Sequence, residues 1–183
     1  KRNIRNELVK RGCEVVVIPA QTTAKELREI APDGIMLSNG PGDPSENQEI
    51  IQNVREIAAL GIPIFGICLG HQLLALSQGC VTEKLKYGHR GANQPVIDLA
   101  SHRTYVTSQN HGYAVVGESL DPEIGEVSHI NANDQTCEGI RYKKINAFTV
   151  QFHPEAHGGP LDTVYLFDEF ISVMKKEKGA LCH

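Results

Sequence analysis

A cysteine, a histidine and a glutamate can together run acyl-transfer chemistry, and this sequence of 183 residues holds one of each in suggestive surroundings. Cys68 sits between two glycines in Gly66-Ile67-Cys68-Leu69-Gly70. It follows the apolar run Ile62-Pro63-Ile64-Phe65 and precedes the helix-forming run His71 to Leu76. A strand that ends in a tight turn and opens into a helix needs small residues on both sides, because the turn residue is strained and the backbones pass closely. The spacing is that of the nucleophile elbow G-x-S-x-G, with sulfur in place of oxygen. It predicts a Cys68 pushed out of the surface, at a helix N-terminus whose partial positive charge favours thiolate over thiol. A lone cysteine is often just a small buried hydrophobe, and the flanking glycines are what turn the reading toward a nucleophile.

A cysteine nucleophile needs a base, and the base needs a group to orient it. His153-Pro154-Glu155 follows the apolar strand Phe148-Thr149-Val150-Gln151-Phe152. Proline holds the backbone extended, so His153 and Glu155 can project to one side, with Glu155 accepting from one ring nitrogen and the other facing the thiol. The pattern His153-x-Glu155-x-His157 also permits a metal-ligand reading, but no helical H-E-x-x-H spacing or cysteine cluster supports it. Negative charge developing on a carbonyl oxygen needs donors. The Leu69 N–H is placed by the elbow, and a second donor could come from the loop Ser38-Asn39-Gly40-Pro41-Gly42-Asp43-Pro44, where Gly40 can turn its amide inward. The same loop is equally an ordinary rigid turn. His71 and His111 lie near these segments, whereas His89, His102, His129 and His183 receive no role. The other cysteines read as structural, with Cys182 disordered at the terminus.

These residues must be positioned by alternating strands and helices. Val15 to Ile18 reads as a strand. Thr23-Ala24-Lys25-Glu26 has capping-box spacing and starts a helix reaching Ile30. Gly34 to Leu37 is the next strand, and a helix from Glu46 to Leu60 carries Ile50, Val54, Ile57 and Ala58 on one face before Gly61. Ile62 to Ile67 is then the strand leading to Cys68. Beyond Gly79 come shorter strands at Thr104 to Thr107, Ala114 to Val116, Glu138 to Tyr142 and Ala147 to Phe152, which suit antiparallel additions at a sheet edge. A final helix runs from Asp162 to Lys176. The expected fold is α/β, a mostly parallel sheet flanked by helices on both faces with added antiparallel strands. Lys1 to Lys10 reads as a helix with no strand before it, so at least one strand, and a further domain, is expected upstream in a parent polypeptide.

Composition sets outer bounds. A content of 40% hydrophobic residues suits one domain over 1–183, and a net charge of −4 with no basic stripe argues against nucleic acid. No apolar run approaches the ~20 residues of a bilayer span, so a soluble protein without a membrane partner is expected. Five cysteines without a C-x-x-C pair fit reduced thiols in the cytoplasm rather than disulfides or zinc.

With Asn39-Gly40-Pro41-Gly42-Asp43-Pro44, Gly66-Ile67-Cys68-Leu69-Gly70-His71-Gln72 and His153-Pro154-Glu155 in order, the whole chain resembles the class I glutamine amidotransferases. Within the class it is most similar to the small, glutaminase subunits of carbamoyl-phosphate synthases, through Leu73 to Leu76, Gly88-His89-Arg90-Gly91-Ala92-Asn93-Gln94-Pro95-Val96 and Gln109-Asn110-His111-Gly112-Tyr113. The resemblance implies a flavodoxin-like fold and a Cys68–His153–Glu155 triad that hydrolyses glutamine through a thioester. It also implies that Gly40, Gly42, Leu69, Gln72, Asn110, Gly112 and Tyr113 hold glutamine, with Gly40 and Leu69 as oxyanion donors. Tyr113 stands where the family often has phenylalanine. Ammonia would pass to a large synthetase subunit that uses ATP and bicarbonate for arginine and pyrimidine synthesis, while this segment binds no nucleotide, cofactor or metal. Another class I amidotransferase, a γ-glutamyl hydrolase and a non-catalytic assembly module of the same fold are the alternatives.

Overall fold

In the computed structural model, residues 1–156 and 162–180 are described. His157, Cys182 and His183 lie outside them, so the His157 metal reading and the disorder expected at Cys182 are not addressed by it. The described elements run α1 (Arg2–Lys10), α2 (Ala24–Ile30), β1 (Ile35–Leu37), α3 (Gln48–Ala58), β2 (Ile64–Ile67), α4 (Leu69–Ser77), β3 (Thr82–Asp98), β4 (Thr104–Val115), β5 (Gly125–Asn131), β6 (Cys137–Tyr142), β7 (Ala147–Val150) and α5 (Tyr165–Ala180).

One sheet takes the order β1-β2-β7-β6-β5-β3-β4. Its first three strands are parallel, with Ile35 opposite Ile64 and Ile67 opposite Val150, and the remaining pairings are antiparallel. Period-two alternation divides the core between the two faces. Phe65 and Ile67 of β2 and Phe148 and Val150 of β7 pack with Ile4 and Leu8 of α1 and Leu166, Phe167 and Phe170 of α5. Ile64 packs the other way, with Leu27 of α2, Val54 and Ile57 of α3 and Leu74 of α4. Phe65 stacks on Phe148 with ring centroids 4.5 Å apart, a pairing that adds about 0.5–1.5 kcal/mol beyond area burial.

The α/β architecture with helices on both faces is as expected, and the capping box at Thr23 and Glu26 is present in full, but the sheet is mixed rather than mostly parallel, because every pairing beyond β7 is antiparallel. Four local expectations are corrected. Val15 to Ile18 is not a strand. Cys13 and Val15 pack on one core cluster and Ile18 on the other, but the segment has no ladder partner among the described residues, and Val16 and Val17 are 62% and 79% exposed. The two short strands at 104–107 and 114–116 are one continuous strand, β4, because its partner β3 runs unbroken alongside. The long helix expected from Glu46 starts at Gln48, since Asp43 caps a separate 3-10 turn at Pro44–Glu46. The last helix starts at Tyr165, after a turn in which Leu166 and Phe167 bond back to Thr163 and Val164, and it continues past Lys176 through the helix-favouring Lys176 to Lys178.

Candidate active site

The parallel pairing of β2 and β7 builds the centre of the site. Ile67 and Val150 are opposite each other, so the residues that follow, Cys68 and the 151–155 segment, emerge together at the C-terminal ends of the two strands. The Cys68 N–H donates to the Val150 carbonyl at 2.9 Å, locking the elbow to β7. Cys68 has φ +53° and ψ −105°, a conformation that costs a non-glycine residue about 1–3 kcal/mol and is held only by its surroundings. Those surroundings require the glycines. A Cβ on Gly70 would collide with the Leu37 carbonyl oxygen of β1, and one on Gly66 would come within 3.0 Å of the Gly70 backbone.

The elbow geometry is therefore as expected, but Cys68 is not pushed out of the surface. It is 4% exposed, at the bottom of a cavity of about 650 Å³. The cavity is walled by Asn39 to Gly42 on one side, Ser108 to Tyr113 of β4 on the other, and Gln72 and His153.

His153 and Glu155 stand as the sequence predicts. His153 Nδ1 lies 2.9 Å from Glu155 Oε1, which leaves Nε2 for the Cys68 sulfur that lines the same cavity. The His153 N–H donates to the Ser108 carbonyl at 2.9 Å, so β4 also holds the segment. Burial opposes charge on His153, but the Cys68 sulfur and the Glu155 carboxylate beside it outweigh that and raise its pKa to about 9. Glu155 is 1% exposed. Burial opposes its charge as well, yet the bonds from His153 and from Lys1 hold its carboxyl below the ordinary range. Lys1 Nζ donates to Glu155 Oε1 at 2.9 Å, a contact with no local sequence signature because the partners are 154 residues apart.

Of the residues expected to hold substrate, Gly40, Gly42, Gln72, Asn110, Gly112 and Tyr113 all line the cavity. Leu69 lies beneath the Gly40 loop, its side chain filling the space a Gly40 Cβ would take. As the first residue of α4 it has an N–H with no partner inside the helix. The Gln72 amide is already committed, donating to the Tyr113 carbonyl at 2.7 Å and to Gln151 Oε1 at 2.8 Å, so it braces β4 against α4. The Tyr113 side chain lines the cavity, with Asp43 nearby. His111 lines the cavity, whereas His71 is fully buried against Thr149 at 2.7 Å and, desolvated, is lowered to about 3. His71 is thus a neutral core residue. Cys80 and Cys137 are buried and Cys13 half-buried, all free thiols. Besides Lys1, sequence reasoning missed Ser108, and Arg90 only as part of a motif; both line the cavity.

A model of the family described as glutamine amidotransferase class-I matches residues 1–173. The chain belongs to the class I glutamine amidotransferase family. Among its relatives, the carbamoyl phosphate synthase small chain of Staphylococcus epidermidis is 56% identical, over 97% of this chain and 49% of its own length. That of Bacillus cereus is 52% identical, over 100% of this chain and 50% of its own. This amidotransferase chain thus spans about half the length of the curated relatives it matches. A solved structure from Thermoplasma acidophilum, provisionally described as one subunit of GMP synthase, shares the fold at a TM-score of 0.86 with 22% identity, covering 99% of this chain and 91% of that one. No helix among the described residues is long and apolar enough to cross a membrane.

Proposed function

We propose that this chain is the glutaminase part of a carbamoyl-phosphate synthase small subunit. It hydrolyses glutamine to glutamate and ammonia and delivers the ammonia to a large synthetase subunit that consumes ATP and bicarbonate. The observation that carries the reading is the buried Cys68–His153–Glu155 relay at the end of a cavity; the naming of the relatives supports the particular pathway.

The Cys68 sulfur attacks the side-chain amide carbon of glutamine, and the carbonyl oxygen takes up negative charge facing the Leu69 and Gly40 N–H groups. Each such donor is worth about 3–4 kcal/mol in the transition state. Collapse of the tetrahedral species breaks the C–N bond while His153 gives its proton to the leaving nitrogen, releasing ammonia and leaving a thioester. His153, now neutral, takes a proton from water. The resulting hydroxide attacks the thioester, and glutamate leaves as the sulfur recovers its electron pair. Glu155 holds the ring through both halves and stabilises its charged form. Gly42, Gln72, Asn110, Gly112 and Tyr113 supply the cavity walls that hold glutamine, and this chain's own chemistry calls for no nucleotide or cofactor.

Changing Cys68 to Ser in the assembled synthase tests this directly. Glutamine-dependent carbamoyl phosphate formation is expected to disappear while formation from added ammonia persists. Equal loss of both would place Cys68 outside the glutaminase step.

A further inference from the structure

A second constellation lies in the antiparallel part of the sheet. His89 of β3 and His111 of β4 are direct cross-strand partners, their rings perpendicular with centroids 4.9 Å apart. Gln109 of β4 and Glu138 of β6 complete the group, and all four are buried, Glu138 completely. Gln109 Oε1 lies 3.1 Å from His89 Nδ1 and 2.9 Å from His111 Nε2, and Glu138 Oε1 lies 3.3 Å from His89 Nδ1. The ligand atoms of His89, His111 and Glu138 all fall within 4.8 Å of one another. A tetrahedral site with bonds of 2.0–2.2 Å has edges of about 3.3–3.6 Å, so the side chains would close in on an ion by about an ångström at most.

The outer nitrogens of the two rings decide which way the lone pairs point. His89 Nε2 lies 2.8 Å from Asp134 Oδ2, and His111 Nδ1 lies 2.8 Å from the Tyr113 carbonyl oxygen. Both outer partners are acceptors, so both outer nitrogens carry the hydrogen. This is the arrangement that orients metal-binding histidines, a carboxylate behind one ring and a backbone carbonyl behind the other. The inner nitrogens face Gln109 Oε1 and Glu138 Oε1, the side on which an ion would sit. Glu138 is further fixed by Asn131 Nδ2 at 3.1 Å, and its wholly buried Oε2 has no hydrogen-bond partner among the described residues.

We infer that His89, His111, Glu138 and Gln109 form a structural site for a divalent first-row cation such as zinc. The imidazole and oxygen donors suit such an ion, and a dipositive centre satisfies the buried carboxylate. Its place is structural because His111 and Gln109 stand in the β4 wall, and the ion would tie that wall to β3 and β6. The sequence offered no metal motif because the ligands come from three strands. The inference stands apart from the glutaminase reading, and its test reads metal, not turnover.

The full chain carrying Cys68→Ser, so that the elbow sulfur cannot compete, is dialysed against zinc and then against metal-free buffer, and its metal content is measured. One equivalent is expected to remain, falling below a tenth in the added variants Glu138→Gln and His89→Gln. Cobalt(II) loaded in place of zinc is expected to give ligand-field bands of a nitrogen–oxygen site without thiolate charge transfer. Retention of less than a tenth of an equivalent by the Cys68→Ser chain, equal retention by the variants, or a thiolate band would each overturn the site. The cobalt spectrum needs no change in the cluster, so the test holds even where a variant folds poorly.

Discussion

The parallel and antiparallel halves of the sheet contribute differently to one cavity. In the parallel half, β2 and β7 end side by side, and the Cys68 sulfur and the His153 imidazole come from the residues just after them. In the antiparallel half, β4 presents a run of consecutive residues, Ser108 to Tyr113, as a wall. The first half concentrates function at strand ends, where a one-residue shift loses the site. The second distributes it along a strand held by cross-strand partners and two register shifts, where backbone position counts for more than any one side chain. Substitutions should therefore act sharply in the first half and gradually in the second.

The severest test of that contrast is Gly70→Ala. The added methyl meets the Leu37 carbonyl, which is backbone and cannot swing aside, so a loss of more than about 3 kcal/mol is expected in denaturant unfolding, together with loss of glutaminase turnover. A variant that unfolds like the parent would show that the elbow tolerates displacement. Next comes His153→Gln, for which turnover with glutamine should fall about 10²–10⁴-fold while glutamine still binds. The same variant reports on charge. A folded-state pKa of about 9 lies above the unfolded value near 6.5, so the stabilisation from protonated His153 is complete below pH 6.5 and is lost as pH rises through 9. Parent and variant unfolding free energies should accordingly converge between pH 6.5 and 9.5; a constant gap would show that the ring is not held as imidazolium.

In the antiparallel wall, Asn110→Ala should raise KM for glutamine about tenfold, the worth of one hydrogen bond, with kcat little changed. A large drop in kcat instead would move Asn110 into the chemistry. Smallest of all is Tyr113→Phe. The residue's carbonyl is already bonded to Gln72 and His111, and Asp43 lies near its side chain. Less than about a twofold change in KM is expected in steady-state kinetics, and a larger one would show that the hydroxyl helps close the cavity.

The same contrast governs what could be read from sequence. Cys68, His153 and Glu155 were legible because each depends on its immediate neighbours, whether glycines, a proline or a strand just before it. β3 was not, since Thr82 to Asp98 mixes charged residues with Gly88, Gly91 and Pro95 and breaks alternation at its two register shifts. Val15 to Ile18 misled in the opposite sense: strand composition makes a strand only when a ladder partner is present. Lys1 against Glu155 and His89 against Glu138 are long-range pairings, fixed by topology and invisible to local pattern.

The dihedral angles at Cys68 have an evolutionary corollary. Glycine would occupy that turn with less distortion, so selection for thermal robustness alone would drift toward discarding the sulfur. Under the proposed function only a demand for reactivity would keep a side chain there, and directed-evolution libraries screened only by heat should shed it early.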